Sequence, residues 1–310
     1  MRTISIVVPL HNEEESLPLL VKAIDDVFSK SDESYEIIFI DDGSTDKSFS
    51  ILETLYSQYG KKIRIIRFTR NYGKSAALSV GIKAASGEII ITMDADLQDD
   101  PEAIPSMLDK LDEGWDLVSG WKKKRYDPIT FTAPSKLWNL ITSVLSGVKL
   151  HDFNCGFKAY KSEAAKSLEI YGDRHRYLPA LAHWDGFKVT EIPVPHHARK
   201  FGKSKYGFSK FFHGIFDMLT LLFLKRYLKS PLHFFGMIGF LAIILGAGVL
   251  GYFGIEWIIT QQMRIRPLTL LSLGSIIVGI QFLSFGFLAE MMTHQFRNDE
   301  YKIRNRINCE

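Results

Sequence analysis

The sequence predicts an α/β protein: an open, mostly parallel sheet with helices on both faces, then an interfacial helix and a membrane hairpin. Three observations predict it. Short apolar runs alternate with helically spaced segments up to about Tyr206. Polar and acidic residues cluster where several of those runs end. Two long stretches without Asp, Glu, Lys or Arg follow, Ser230 to Ile255 and Pro267 to Ala289.

The elements come in order. Ile4–Leu10 reads as a strand and Glu14–Phe28 as a helix that Asn12 can cap. Glu36–Ile40 is a strand, Lys47–Tyr59 a helix, Ile63–Phe68 a strand and Lys74–Ala84 a helix. Ile89–Met93 is a strand that runs into the acidic stretch Asp94, Asp96, Asp99 and Asp100. Pro101 can start a helix, with Glu102 suited to its first turn, and Leu117–Ser119 is another short strand. Residues 122–135, KKKRYDPITFTAPS, have no clear period and read as a loop on the ligand side of the sheet.

From Phe208 to Tyr227 the apolar residues keep the spacing of one helical face, with Asp217 inside. A helix lying on a bilayer suits this pattern better than a span; an ordinary helix on the domain core is the alternative. Each uncharged stretch reaches the roughly 20 residues that a membrane helix needs, and both exceed the usual length of a buried core helix. The expected layout is therefore a domain over 1–206, an amphipathic helix over 207–229, and a hairpin with a basic tail over 230–310. Its spans are expected at about 231–258 and 267–290. Met1-Arg2-Thr3 leads straight into a strand-like run, with no signal-peptide pattern. The two cysteines, Cys155 and Cys309, are too few for a disulfide framework. Lys225, Arg226 and Lys229 precede the first stretch, and Arg297, Lys302, Arg304 and Arg306 follow the second. This bias places the domain and the tail in the cytosol of an integral membrane protein, at the inner membrane if bacterial. The net charge of +3 gives no reason to expect a nucleic-acid partner.

Ligands of open α/β sheets bind beyond the carboxyl ends of the strands. Strand one ends in Pro9-Leu10-His11-Asn12-Glu13, strand two in Asp41-Asp42-Gly43-Ser44-Thr45-Asp46, and strand four in Asp94-Ala95-Asp96-Leu97-Gln98. Asp94 and Asp96 place two carboxylates on one turn. A hard cation offsets their repulsion, and Mg²⁺ is commonly held by one or two carboxylates plus substrate phosphates. No GxxxxGK[ST] loop occurs, and no GxGxxG follows the first strand, so ordinary NTPase and dinucleotide sites lack support.

"VVPLHNEEE", "IDDGSTD", "RNYGKSAAL", "DADLQDDPE" and "CGFKAY", in this order, resemble the family 2 glycosyltransferases of the GT-A fold. Their polyprenyl-phosphate group is most similar: dolichyl-phosphate mannose synthases and, in the two-span layout, bacterial bactoprenol glucosyltransferases. The resemblance implies a nucleotide sugar donor, Mg²⁺ or Mn²⁺, and a lipid-phosphate acceptor. It places Pro9, His11, Glu13, Asp41, Asp42, Lys74, Asp94, Ala95 and Asp96 at the nucleotide sugar, and Asp94, Asp96 and Gln98 at the metal. Asp152 matches an acid ahead of the CGF motif and is carried over as a catalytic candidate. Arg199, Gly202, Ser204 and Lys205 match an Arg-x-x-Gly-x-Ser-Lys-Tyr segment.

A lipid phosphate is already anionic, so it can attack the anomeric carbon without a strong base. The chemistry needs positioning and neutralisation of the leaving diphosphate. Asp94 and Asp96 would serve the second through the metal. Arg125, Arg199 and Lys205 are catalytic candidates for the first, with Ser204 beside them at the acceptor phosphate. Attack opposite the leaving group would invert the sugar. Glucose from UDP-glucose is the expected donor on the two-span layout, with undecaprenyl or dolichyl phosphate as acceptor; mannose or a modified pentose are alternatives. A homo-oligomer and a separate lipid-linked-sugar flippase are the further expected partners. A processive synthase would carry a Gln-x-x-Arg-Trp motif and more spans. A non-catalytic subunit of a lipid-linked-sugar transport complex would have no need of the paired acids.

Overall fold

The computed structural model describes residues 2–123, 139, 142–144, 146–172, 174–197, 230–261 and 266–295. The chain divides into two compact units, Met1–Asp217 and Met218–Glu310. The expected amphipathic helix at 207–229 and the basic tail lie outside the described residues.

In the first unit the strands are β1 (Thr3–Leu10), β2 (Ser34–Asp41), β3 (Ile63–Arg67), β4 (Ile89–Thr92), β5 (Leu117–Trp121), β6 (Lys158–Lys161) and β7 (Val189–Pro193). The helices are α1 (Leu17–Phe28), α2 (Ser48–Tyr59), α3 (Lys74–Ala84), α4 (Ile104–Asp112), α5 (Ser162–Ser167) and α6 (Leu178–Trp184). The seven strands form one sheet in the order β3-β2-β1-β4-β6-β5-β7. All pairings are parallel except those of β6, which runs antiparallel to β4 and β5.

Ile6–Val8 of β1, Ile37–Ile40 of β2 and Ile89–Ile91 of β4 are continuous apolar runs because both faces are covered, as parallel strands require. Along β1, Ile4, Ile6 and Val8 point into one core with α1 and α4, while Val7 points into another with α3. The same alternation splits Ile37 and Phe39 from Ile38 and Ile40 on β2. Gly81 of α3 lies so near β1 that a Cβ there would sit 2.3 Å from Val7 Cγ1. That close approach seats α3 flat on the sheet.

Two sequence readings need correction at β1's exit. Helix α1 starts at Leu17, with Pro18 in its first turn, rather than at Glu14. Asn12 does not cap it. Asn12 takes a left-handed backbone, φ 59°, and its Oδ1 accepts the Thr45 N–H at 2.8 Å across to the neighbouring loop.

One buried acid ties the opposite end of the sheet. Glu36 faces Ser5 across β1 and β2. Its carboxylate accepts Ser5 Oγ at 2.5 Å, Ser86 N at 2.9 Å and Oγ at 2.7 Å, and Arg64 Nη1 at 2.9 Å. Burial raises its pKa, but these donors outweigh it and hold the group at about 2. A depressed carboxyl stabilises the fold above its ordinary value of 4.5, and that contribution disappears as pH falls toward about 2. Glu36→Gln should therefore destabilise the chain by about 1–3 kcal/mol at neutral pH. The deficit should shrink as pH falls below the ordinary carboxyl value. Thermal unfolding of both full-length proteins across that window checks this; a constant gap would refute the assignment.

In the second unit, α7 (Pro231–Thr260) and α8 (Pro267–Gln295) form an antiparallel hairpin of 30 and 29 residues. At about 1.5 Å per residue each is long enough to cross a bilayer. A Cβ on Gly239 would lie 2.6 Å from the Gly279 carbonyl, and the reverse holds, so the backbones touch through these glycines. Ser275 Oγ donates to the Ala242 carbonyl at 2.9 Å. Glu290 closes one end by accepting the Leu232 N–H at 3.2 Å, and the Arg266–Glu256 pair at 2.7 Å closes the other. Outward-facing Phe240, Leu245, Ile259 and Leu271 are 60%, 67%, 75% and 68% exposed, a surface suited to lipid.

Candidate active site

The chain visits β1, β2 and β3 on one side of β1, then crosses to β4 on the other. This reversal opens a crevice beyond the carboxyl ends of β1 and β4. The loops after β1, β2 and β4 meet around it.

The first two loops bind each other. Asn12 N and Glu13 N donate to Ser44 Oγ at 3.0 Å and Ser48 Oγ at 2.9 Å. His11 Nδ1 lies 2.9 Å from the Asp42 carbonyl oxygen. Asp41 is buried; its Oδ1 accepts Ser44 N at 2.8 Å, and Arg67 Nε lies 3.3 Å from its Oδ2. Asp42 accepts the N–H groups of Tyr72 at 2.7 Å and Gly73 at 2.9 Å, which fixes the turn into α3. His11, Asp41 and Asp42, and the backbone of Glu13, are thus held together at one rim, beside Pro9 near the end of β1.

The third loop carries the acids. Asp94 lies two residues beyond β4, with 29% of its side chain exposed, and Lys74 Nζ at the start of α3 contacts its Oδ1 at 2.5 Å. Burial raises the pKa of Asp94, but Lys74, and Lys122 and Lys158 beyond it, hold the carboxyl at about 2. Leu97 adopts φ 59°, an unusual left-handed turn for a leucine. The turn folds back so that Asp96 Oδ1 accepts Gln98 N at 3.2 Å. Gly156, of the CGF motif, abuts Asp94: a Cβ there would lie 2.5 Å from Oδ2.

The four acids do not share one role. Asp99 is fully buried, with Lys122 Nζ 2.8 Å from its Oδ1. Burial lowers the pKa of Lys122, and Asp99 more than reverses this. Asp100 accepts Glu102 N at 3.0 Å and pairs with His197 Nε2 at 3.0 Å. Asp94 and Asp96 stand together on the turn beyond β4, whereas Asp99 is engaged by Lys122 and Asp100 by His197. The pair suits Mg²⁺ or Mn²⁺, hard ions that take the rest of their shell from substrate oxygens. No group of three or more His, Cys, Asp or Glu side chains suited to a metal occurs among the described residues.

Asp152 is buried in a turn where its Oδ1 accepts Asn154 N at 3.2 Å. Cys155, a buried packing residue, has its thiol pushed up to about 12, chiefly by burial. Arg125, Arg199, Ser204 and Lys205 lie outside the described residues. The sequence reading passed over Lys158 and His175. Lys158 is buried beside Cys155 and donates to its carbonyl. His175 Nδ1 lies 2.8 Å from Ser75 Oγ on α3. Lys158 stood inside the quoted CGFKAY motif; no pattern marked His175.

The sequence profile of glycosyl transferase family 2 matches residues 5–168. This chain belongs to glycosyl transferase family 2. The transferase is 36% identical over 302 residues to a dodecaprenyl-phosphate galacturonate synthase of Rhizobium johnstonii, covering 96% of this chain and 89% of that one. It is 33% identical over 297 residues to an undecaprenyl-phosphate 4-deoxy-4-formamido-L-arabinose transferase of Pectobacterium atrosepticum, covering 94% and 88%. Among solved structures it is similar to glucosyl-3-phosphoglycerate synthase from Mycobacterium tuberculosis in complex with Mn²⁺, UDP-glucose and phosphoglyceric acid. The TM-score is 0.54 at 20% identity, over 72% of this chain and 79% of that one. The same synthase with Mg²⁺ and UDP gives a TM-score of 0.55 at 20% identity, again over 72% and 79%. That likeness establishes the GT-A fold of the transferase, as the motifs implied.

Proposed function

We propose that this transferase moves a sugar from a nucleotide sugar to the phosphate of a polyprenyl lipid. The pairing of Asp94 and Asp96 at the switch-point crevice carries the reading. The apolar hairpin on the same chain and the two relatives, both named for polyprenyl phosphates, support the acceptor. Asp94 and Asp96 would hold Mg²⁺ or Mn²⁺, which when bound supplies positive charge for the departing diphosphate. Pro9, His11, Glu13, Asp41 and Asp42 form the rim for the nucleoside, with Lys74 at the diphosphate end. Arg125, Arg199, Ser204 and Lys205 are our candidates to hold the acceptor, and Asp152 and Gln98 to support the sugar and metal side. A lipid phosphate needs no base, so these residues orient rather than deprotonate. The relatives' names carry galacturonate and a formamido-arabinose; they give no support to the glucose suggested by the two-span layout.

The test is to incubate the purified chain with undecaprenyl phosphate, Mn²⁺ or Mg²⁺ and a panel of labelled nucleotide sugars, neutral and acidic. Organic-extractable label from at least one donor, abolished by chelation, is expected. Nucleotide binding without label from any donor would overturn the reading.

The hairpin is proposed to span the bilayer with the catalytic unit in the cytosol, since basic residues outside the pair outnumber Arg264 and Arg266 between the helices. A cysteine placed at Gln261, with Cys309 replaced by serine, should react with an impermeant maleimide only from the outer side. Reaction only from the cytosolic side would reverse the topology.

A further inference from the structure

His175 and Arg176 precede α6 on the chain between β6 and β7, and His175 contacts Ser75 at the start of α3, next to Lys74. The nucleoside rim comes from the loops after β1 and β2. Three cations surround His175. Burial pushes its pKa down to about 3, and the charges of Lys74, Arg176 and Lys158 act in the same direction, opposed by Asp94. The ring is therefore neutral at physiological pH. Ser75 Oγ accepts the His175 backbone N–H at 3.3 Å, which leaves the hydroxyl proton for Nδ1 at 2.8 Å. Nδ1 then accepts, and Nε2 carries the ring proton as a donor. The Nε of Arg176 is buried and has no hydrogen-bond partner among the described residues. Lys158 is 2% exposed and spends one donor on the Cys155 carbonyl. Buried cationic donors are retained where an anion completes them.

We propose that Arg176 and the Nε2–H of His175 hold the phosphate monoester of the acceptor beside Asp94, with Lys158 adding charge from the buried side. This rests on the reading of the chain as a lipid-phosphate transferase. Two anions must meet at the sugar. The donor diphosphate is served by Lys74 and the cation site of Asp94 and Asp96. An attacking phosphate must stand on the other side of the anomeric carbon from the diphosphate, and Arg176 and His175 supply donors that the donor site described above does not use. Arginine's fork suits two oxygens of one phosphate, and a neutral imidazole donor adds a third contact without competing for a proton.

Full-length Arg176→Gln in vesicles with undecaprenyl phosphate tests the assignment. Its kcat/KM for the acceptor should fall about 100-fold, the scale of a lost charge-assisted contact. Donor KM, and the affinity for UDP with Mn²⁺, should stay within about twofold, since these report the other anion. Arg176→Lys should recover part of the loss, because charge returns without the fork. A second measurement needs no turnover: hexyl phosphate and inorganic phosphate are titrated into the UDP–Mn²⁺ complex. Wild type should bind hexyl phosphate, and Arg176→Gln should not. Binding of inorganic phosphate with the same loss in the variant would show that the phosphate group alone suffices. An unchanged acceptor kcat/KM, or UDP affinity that falls as far as acceptor kcat/KM, would overturn the proposal. Failure of wild type to transfer to any lipid phosphate would instead overturn the proposed function, while the hexyl phosphate titration would still decide the subsite.

Discussion

Asp94→Asn and Asp96→Asn should each lower sugar transfer by at least about a thousandfold and leave the fold intact. Asparagine keeps the size and the hydrogen-bonding oxygen of aspartate but removes its charge. At Asp94 the loss leaves Lys74 Nζ, now at 2.5 Å from a carboxylate, without its counterion, so the ammonium would repel an incoming cation. At Asp96 the turn that receives Gln98 N can persist through the amide oxygen, so the defect should be one of charge alone. Transfer assays across a Mn²⁺ titration, with circular dichroism of each variant, measure both parts. Near-normal turnover with metal dependence retained in both variants would remove the metal assignment. Asp99→Asn supplies the contrast. It strands Lys122, only 14% exposed, without its carboxylate, and should lower stability, since breaking a buried pair commonly costs several kcal/mol.

Gly156→Ala should cut transfer by about a hundredfold through displacement rather than unfolding. An added Cβ would meet Asp94 Oδ2 at 2.5 Å, Cγ at 2.8 Å and Oδ1 at 2.9 Å. The backbone cannot easily yield, because the Gly156 carbonyl accepts Thr92 Oγ1 at 2.8 Å. The carboxylate must move instead and leave the position that Lys74 and the turn define. Turnover and melting temperature separate the outcomes: a fall in kcat with a melting temperature close to wild type is expected. Wild-type turnover would show that the Asp94 position tolerates the shift.

The parts of the fold that were legible in sequence were those with a repeating physical requirement. β1, β2 and β4 are covered on both faces, so Ile6–Val8, Ile37–Ile40 and Ile89–Ile91 are unbroken apolar runs; the helical spacing over Lys74–Ala84 matches α3. β6 and β7 were not legible. β6 is only Lys-Ala-Tyr-Lys, and its first lysine is buried by neighbouring charge and carbonyl groups rather than by apolar character. Asn12 read as a helix cap because the residue type fits both roles; only the Thr45 N–H on another loop selects the inter-loop bond. The acidic stretch showed where charge concentrates but not how it divides, since Lys122 and His197 reach Asp99 and Asp100 from distant positions in the chain. His175 had no periodic or motif partner at all.

The mutual bonds between the loops after β1 and β2 bear on the heat and entropy of nucleotide capture. Ordering a free residue costs about 1–2 kcal/mol in backbone entropy. Here Asn12, Glu13, Ser44, Thr45 and Ser48 are already fixed against one another. That ordering belongs to the folding reaction, so a nucleoside bound there, as proposed, would meet a rim whose conformational entropy has been removed beforehand. Its association with this rim should be closer to docking on a rigid template than to coupled folding, with a heat-capacity change set by the surface covered and little more.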